Sequence, residues 1–138
     1  ASAEILSVEW EKPSAKVTRK LRLQKDEKVL RLVRLRKNDG KIVMLEDTCL
    51  AARYGYVSEG NLNGSIYEII RSHGTEIVHA TKEIGICYAT EQEAKLLEVE
   101  PKQPLLLHYD VAMDEKGEEI LCSKLLINAE RYTMTIIM

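Results

Sequence analysis

Long apolar runs are missing from this sequence, and none approaches the ~20 residues that a bilayer-spanning helix needs. The opening Ala1-Ser2-Ala3-Glu4 has neither a basic nor an apolar leader region. The chain is therefore expected in the cytoplasm and away from membranes. The absent initiator methionine allows that it is a segment of something longer, its first residues a cloning remnant. Cysteine is scarce. Cys49, Cys87 and Cys122 are odd in number, far apart and without C-x-x-C spacing, which excludes a disulfide framework and a zinc site and predicts buried apolar thiols. His73, His79 and His108 have no metal-ligand spacing, so no metal is expected. G-x-G-x-x-G, P-loop and G-x-S-x-G patterns are also absent, and with them support for dinucleotide, triphosphate and ordinary serine-hydrolase chemistry; no cofactor is implied. Nor is there an excess of one charge sign: 20 Lys+Arg stand against 22 Asp+Glu. Nucleic-acid binding by this chain alone thus lacks its electrostatic footprint, and a neutral or small acidic ligand fits better.

What is present suits a single folded domain: 138 residues, 45% hydrophobic and 30% charged, without repeats or low-complexity tracts. Alternation predicts a strand over residues 5–11, and Pro13 opens a short helix to Leu21. Strands over 29–37 and 42–50 enclose Asn38-Asp39-Gly40, which suits a three-residue turn with a bulge at Gly40. In that register Arg34 faces Met44 and Leu32 faces Glu46, so Arg34, Arg36 and Glu46 share one face. A two-residue turn would move Glu46 to the other. Ser65-Ile66-Tyr67-Glu68 reads as a capping box opening a helix over 66–73, closed by Gly74, and Thr90-Glu91-Gln92-Glu93 as another opening a helix over 91–98. A strand over 77–89, a hairpin of 105–113 with 119–128, and a closing strand over 132–138 complete the pattern. Strands joined by hairpins or single helices describe an α+β fold, an antiparallel sheet covered on one side by helices.

The chemistry concentrates at Arg34 and Arg36. Residues two apart on a strand lie about 7 Å apart on one face, close enough for two guanidinium forks to converge on one anion. On a solvated strand the same pair would make rim salt bridges only. Ser65, at a helix start where backbone N–H groups are free, adds a second anion-binding element, or else is simply a cap. Cys122 with His108 lacks the elbow and oxyanion device of a nucleophilic site.

In order and spacing, 29–36 (Val-Leu-Arg-Leu-Val-Arg-Leu-Arg), 40–46 (Gly-Lys-Ile-Val-Met-Leu-Glu), 63–70 (Asn-Gly-Ser-Ile-Tyr-Glu-Ile-Ile), 94–97 (Ala-Lys-Leu-Leu) and 117–120 (Gly-Glu-Glu-Ile) resemble the UTRA domain, the effector-binding and dimerisation domain of GntR/HutC-type bacterial transcription regulators. The resemblance spans nearly the whole chain. It implies a chorismate-lyase-like fold, a homodimer, a pocket for a small anionic effector such as a sugar phosphate or carboxylate, and DNA contact only through a separate N-terminal winged-helix domain absent from this chain. It places Arg34 and Arg36 on the family's arginine pair, Glu46 on its strand glutamate, Ser65 and Tyr67 at its helix-start anion site, His79 where an arginine is frequent, and Lys124 as an added charge. Leu121-Cys122-Ser123 departs from a common Glu-Tyr-Ser run, and Ile127 stands where an aromatic is frequent, so a pocket wall less polar than a sugar sensor's is expected. The same fold also implies an alternative: an enzyme of chorismate-lyase type acting on a small carboxylate.

Overall fold

The computed structural model describes residues 2–138. Its elements are β1 (Ser2–Glu11), α1 (Ala15–Leu21), β2 (Val29–Asn38), β3 (Lys41–Ala51), a 3-10 helix (Ala52–Glu59), α2 (Ile66–Ser72), β4 (Ile77–Tyr88), α3 (Glu91–Leu97), β5 (Pro104–Asp114) and β6 (Glu119–Ile127). The strands form one antiparallel sheet in the order β1-β2-β3-β6-β5-β4, so β3 and β6 are central and β1 and β4 are edges.

Local chemistry accounts for the helices. Ser14, after Pro13, caps α1 by accepting from the Val17 N–H, and Arg22 ends it in the left-handed region at φ 52°. Thr90 and Glu93 make the expected reciprocal capping box on α3. At α2 only half of such a box forms: Ser65 accepts from the Glu68 N–H at 3.2 Å, and no return bond from the Glu68 carboxylate accompanies it.

Helices cover both faces of the sheet, rather than the one face expected. On one, the 3-10 helix and α2 bring Tyr54, Val57, Ile66 and Ile70 against Leu30, Leu32, Leu50 and Leu121. On the other, α1 packs Leu21 and Val17 on Cys49 and Cys122, and α3 packs Ala94 and Leu97 on Leu105 and Leu126. The cause lies in period-two alternation: the central strands are apolar on both sides, and each side requires cover.

The β2–β3 hairpin corrects the predicted register. Asn38 pairs with Lys41 across a two-residue turn in which Asp39 (φ 51°) and Gly40 (φ 77°) are both left-handed, as a type I′ turn requires. A bulge then shifts the pairing by one, so that Arg36 faces Met44 and Arg34 faces Glu46 directly. The bulge restores the parity that the tighter turn alone would have reversed, and the three charged side chains share a face after all.

The predicted closing strand over 132–138 does not form. β6 is hydrogen-bonded on both sides, by β3 and β5, so the chain leaving Ile127 finds no free edge beside it. It turns at Asn128–Arg131 and runs on without regular structure, with Ile136, Ile137 and Met138 exposed.

Candidate functional site

A cavity of about 120 Å³ opens between the sheet and the start of α2, and Arg34, Arg36, Glu46, Ser65 and Tyr67 all line it. The fold thus gathers five of the seven candidate residues. His79 and Lys124 lie elsewhere. His79 is exposed on edge strand β4, separated from β2 by three strands, or about 19 Å at the usual strand spacing. Lys124 follows Ser123, a residue of this cavity wall, and alternation turns its side chain through to the opposite face of the sheet, where it lines a second, larger cavity.

The two arginines differ in what they have left to offer. Arg34 is 1% exposed. Its Nε and Nη2 donate to the two Glu46 carboxylate oxygens at 2.9 and 3.0 Å, and Nη1 donates to the Leu62 and Gly64 carbonyls at 2.7 and 2.9 Å. Burial pulls its pKa down and the Glu46 carboxylate opposes this, so the pair is stable only as a pair. Arg34 is therefore a clamp. It holds the loop that delivers Ser65 to the cavity, rather than converging freely with Arg36 on an anion.

Arg36 is the freer cation. Its side chain is 29% exposed, its single tie to Glu46 is 3.3 Å long, and its Nε is buried without a partner among the described residues. With both arginines charged against one carboxylate, the group carries a net positive charge, and that excess sits at the Arg36 end.

Hydroxyls surround it. Thr48 and Ser123, paired across β3 and β6, hydrogen-bond at 2.7 Å and both line the cavity. Tyr67 of α2 lines the same cavity. Burial pushes its phenol pKa up, and the Asp110 and Glu46 carboxylates add to this, so it stays a neutral donor. Leu121 and Ile66 form the apolar wall. Cys122 points to the other face, and Ile127 is buried beside Met44 and Leu106 outside the lining. Of the three sequence departures, only Leu121 touches this cavity.

Thr48 and Ser123 were missed by sequence reasoning, although Thr48 stands two residues beyond Glu46 on one strand. Only the β3–β6 register brings Ser123 to it. His108 is fully buried in β5; the Lys82 ammonium donates to its Nδ1 at 3.2 Å, which puts the ring proton on Nε2, and that atom has no partner among the described residues. Lys82 also holds Asp110 at 2.8 Å. Among the described residues no three His, Cys, Asp or Glu side chains are grouped as metal ligands, and no helix is long and apolar enough to cross a membrane.

The family profile for the UTRA domain matches residues 1–133. Among solved structures the chain is similar to YydK, described as a possible transcriptional regulator of Bacillus subtilis, at TM-score 0.92 and 20% identity, covering 99% of this chain and 62% of that one. It is similar to the effector domain of PhnF from Mycobacterium smegmatis at TM-score 0.92 and 27% identity, over 99% of this chain and 86% of that domain. A GntR-family transcriptional regulator from Enterococcus faecalis follows the same fold at TM-score 0.88 and 24% identity, over 99% and 100%. No curated protein matches the sequence significantly.

Proposed function

The chain belongs to the UTRA domain family, and on that premise we propose that it is the effector-binding part of a GntR-type transcription regulator, capturing a small phosphate ester or carboxylate at Arg36. The observation that carries this reading is the Arg36 guanidinium, whose buried Nε has no partner among the described residues while the side chain lines a cavity ringed by Ser65, Tyr67, Thr48 and Ser123. An anion there gains charge-assisted bonds that no protein group supplies. The regulator character of the structural neighbours supports a binding module over an enzyme on the same fold.

At about 120 Å³ the cavity is smaller than the ~300–1,000 Å³ of ordinary small-molecule sites, so it accommodates an anionic head and little more. The organic remainder of the effector must displace Tyr67 and the start of α2, or lie across Leu121. Differential affinity for the open and closed arrangements is what would couple effector to DNA, through a winged-helix domain of the whole cytoplasmic protein. The chain spans 62% of the length of YydK, which leaves room for such a domain there.

Homodimerisation belongs to the same proposal. Edge strand β4 leaves one side of its backbone unpaired and exposes Val78, Ile84, Ile86 and Tyr88, and the tail adds Ile136 and Ile137. Light scattering at micromolar concentration should give twice the chain mass, falling to one on Ile84→Lys with Ile86→Lys. A monomeric parent protein would refute the dimer.

The effector reading is tested by a thermal-shift panel of hexose phosphates, alkyl phosphates and carboxylates against the chain and its Arg36→Ala variant. At 100 times its Kd a true effector adds ~2.7 kcal/mol of stability. Loss of that stabilisation in the variant supports the reading; an undiminished response would overturn it.

A further inference from the structure

The larger cavity of the molecule, about 290 Å³, lies on the opposite face of the sheet beneath α1. Its floor is the cross-strand pair Cys49 and Cys122, directly in register on β3 and β6 and packed with Val17 of α1. Burial pushes the Cys49 thiol up to about 12 and the Cys122 thiol to about 11, so the floor is uncharged and apolar at neutral pH.

The rim is the reverse. Lys16 and Lys20 of α1 stand over the Tyr109 ring, 3.5 and 4.6 Å from its centroid, and Lys124 rises from β6 beside them. The two carboxylates in the lining, Glu11 and Asp47, are already held by Arg31. Lys20 makes only a 3.6 Å contact with the exposed Glu83, and Lys16 and Lys124 make no ion pair among the described residues. The walls therefore carry a net excess of two positive charges; Lys16 is held only by the Tyr109 ring, and neither it nor Lys124 has a carboxylate partner among the described residues.

A cavity with an apolar floor and a cationic rim selects for an anion with an apolar body. The geometry points to a second ligand site, distinct from the one at Arg36, that takes a small organic carboxylate, its aryl or short acyl part over Cys49, Cys122 and Val17 and its carboxylate between Lys16 and Lys124. Inorganic phosphate would satisfy the rim and leave the floor in contact with water, so it is the weaker occupant. The volume sits at the lower end of the ~300–1,000 Å³ typical of small-molecule pockets, which suits a single ring or a short chain. The two sites share the central strands. Glu46 and Asp47 are consecutive residues that line opposite cavities, Lys124 lines the larger one, and Ser123 touches both.

The test is a titration of the methyl- and amide-labelled chain with benzoate, with hexanoate and with inorganic phosphate, followed by NMR. Expected are saturable shifts at Val17, Tyr109 and Cys122 with either carboxylate up to millimolar concentration, and an affinity about tenfold lower in the Lys16→Glu, Lys124→Glu double variant. Both lysines are exposed, and an otherwise unchanged methyl spectrum verifies the variant's fold. Arg36→Ala should leave the carboxylate response intact, which separates this site from the effector proposal. Absence of saturable shifts, shifts confined to Ser65 and Tyr67, or an equal response to inorganic phosphate would each overturn the assignment.

Discussion

Two ion pairs of the same chemistry stand back to back on this sheet. Arg34 with Glu46 and Arg31 with Asp47 are both cross-strand, fork-to-carboxylate pairs between β2 and β3, with donor distances between 2.7 and 3.0 Å. The first is sealed beneath the loop before α2, with side chains 1% and 8% exposed; the second stands at the mouth of a cavity, 42% and 32% exposed. The pairs are built alike and differ in what covers them. Where solvent is shut out, each charge depends on the other and the pair becomes part of the fold; where solvent enters, the pair is screened and contributes little.

Arg34→Ala leaves the Glu46 carboxylate buried and frees the Leu62 and Gly64 carbonyls. We expect a loss of about 3–5 kcal/mol in urea-unfolding stability. A loss below 1 kcal/mol would mean that the clamp is not structural.

Arg36→Ala separates binding from folding on the same face. It should cost about 1.5–3 kcal/mol of affinity for an anionic effector, measured by calorimetry. Unfolding stability should change far less than for Arg34→Ala, because Arg36 is partly exposed and leaves Arg34 on Glu46.

A pH scan probes the buried polar row on β5. Burial first, then the Lys82 ammonium, lowers the His108 pKa, with Asp110 acting in opposition. The unfolded chain takes up a proton near the ordinary value of about 6.5 that the folded chain refuses, so stability is full above that pH and falls as pH drops below it. The slope from this one group stays under about 1.4 kcal/mol per pH unit. Chemical unfolding at pH 7, 6 and 5 measures it, and His108→Gln should flatten it.

Arg31→Ala is the smallest expected effect, roughly 0.2–1 kcal/mol in the same urea assay. If it matched Arg34→Ala, burial would not be the distinguishing variable.

The fold was largely legible before the structure. The alternating strands, the helix caps at Ser65 and Thr90 and the glycine and asparagine turns are local patterns, and each acts within a few residues of itself. The candidate site was legible in part, because Arg34 and Arg36 are placed on one face by period-two spacing and Ser65 and Tyr67 by a helix start, while the face of Glu46 hangs on the hairpin register. The hairpin register was not, since Asn38-Asp39-Gly40 admits two turn geometries and the bulge that restores parity leaves no compositional mark. Nor was the role of Arg34, which depends on carbonyls 28 and 30 residues away.

By itself, then, the sequence determined which residues alternate, where helices begin and which charges share a strand face, because those follow from backbone geometry over short spans. Only the tertiary structure decided which face Lys124 serves, that the final segment leaves a strand already paired on both sides, and which arginine is spent and which is the freer. Those outcomes turn on strand order and on burial, and burial is a property of what packs over a residue, not of the residue or its neighbours in the chain.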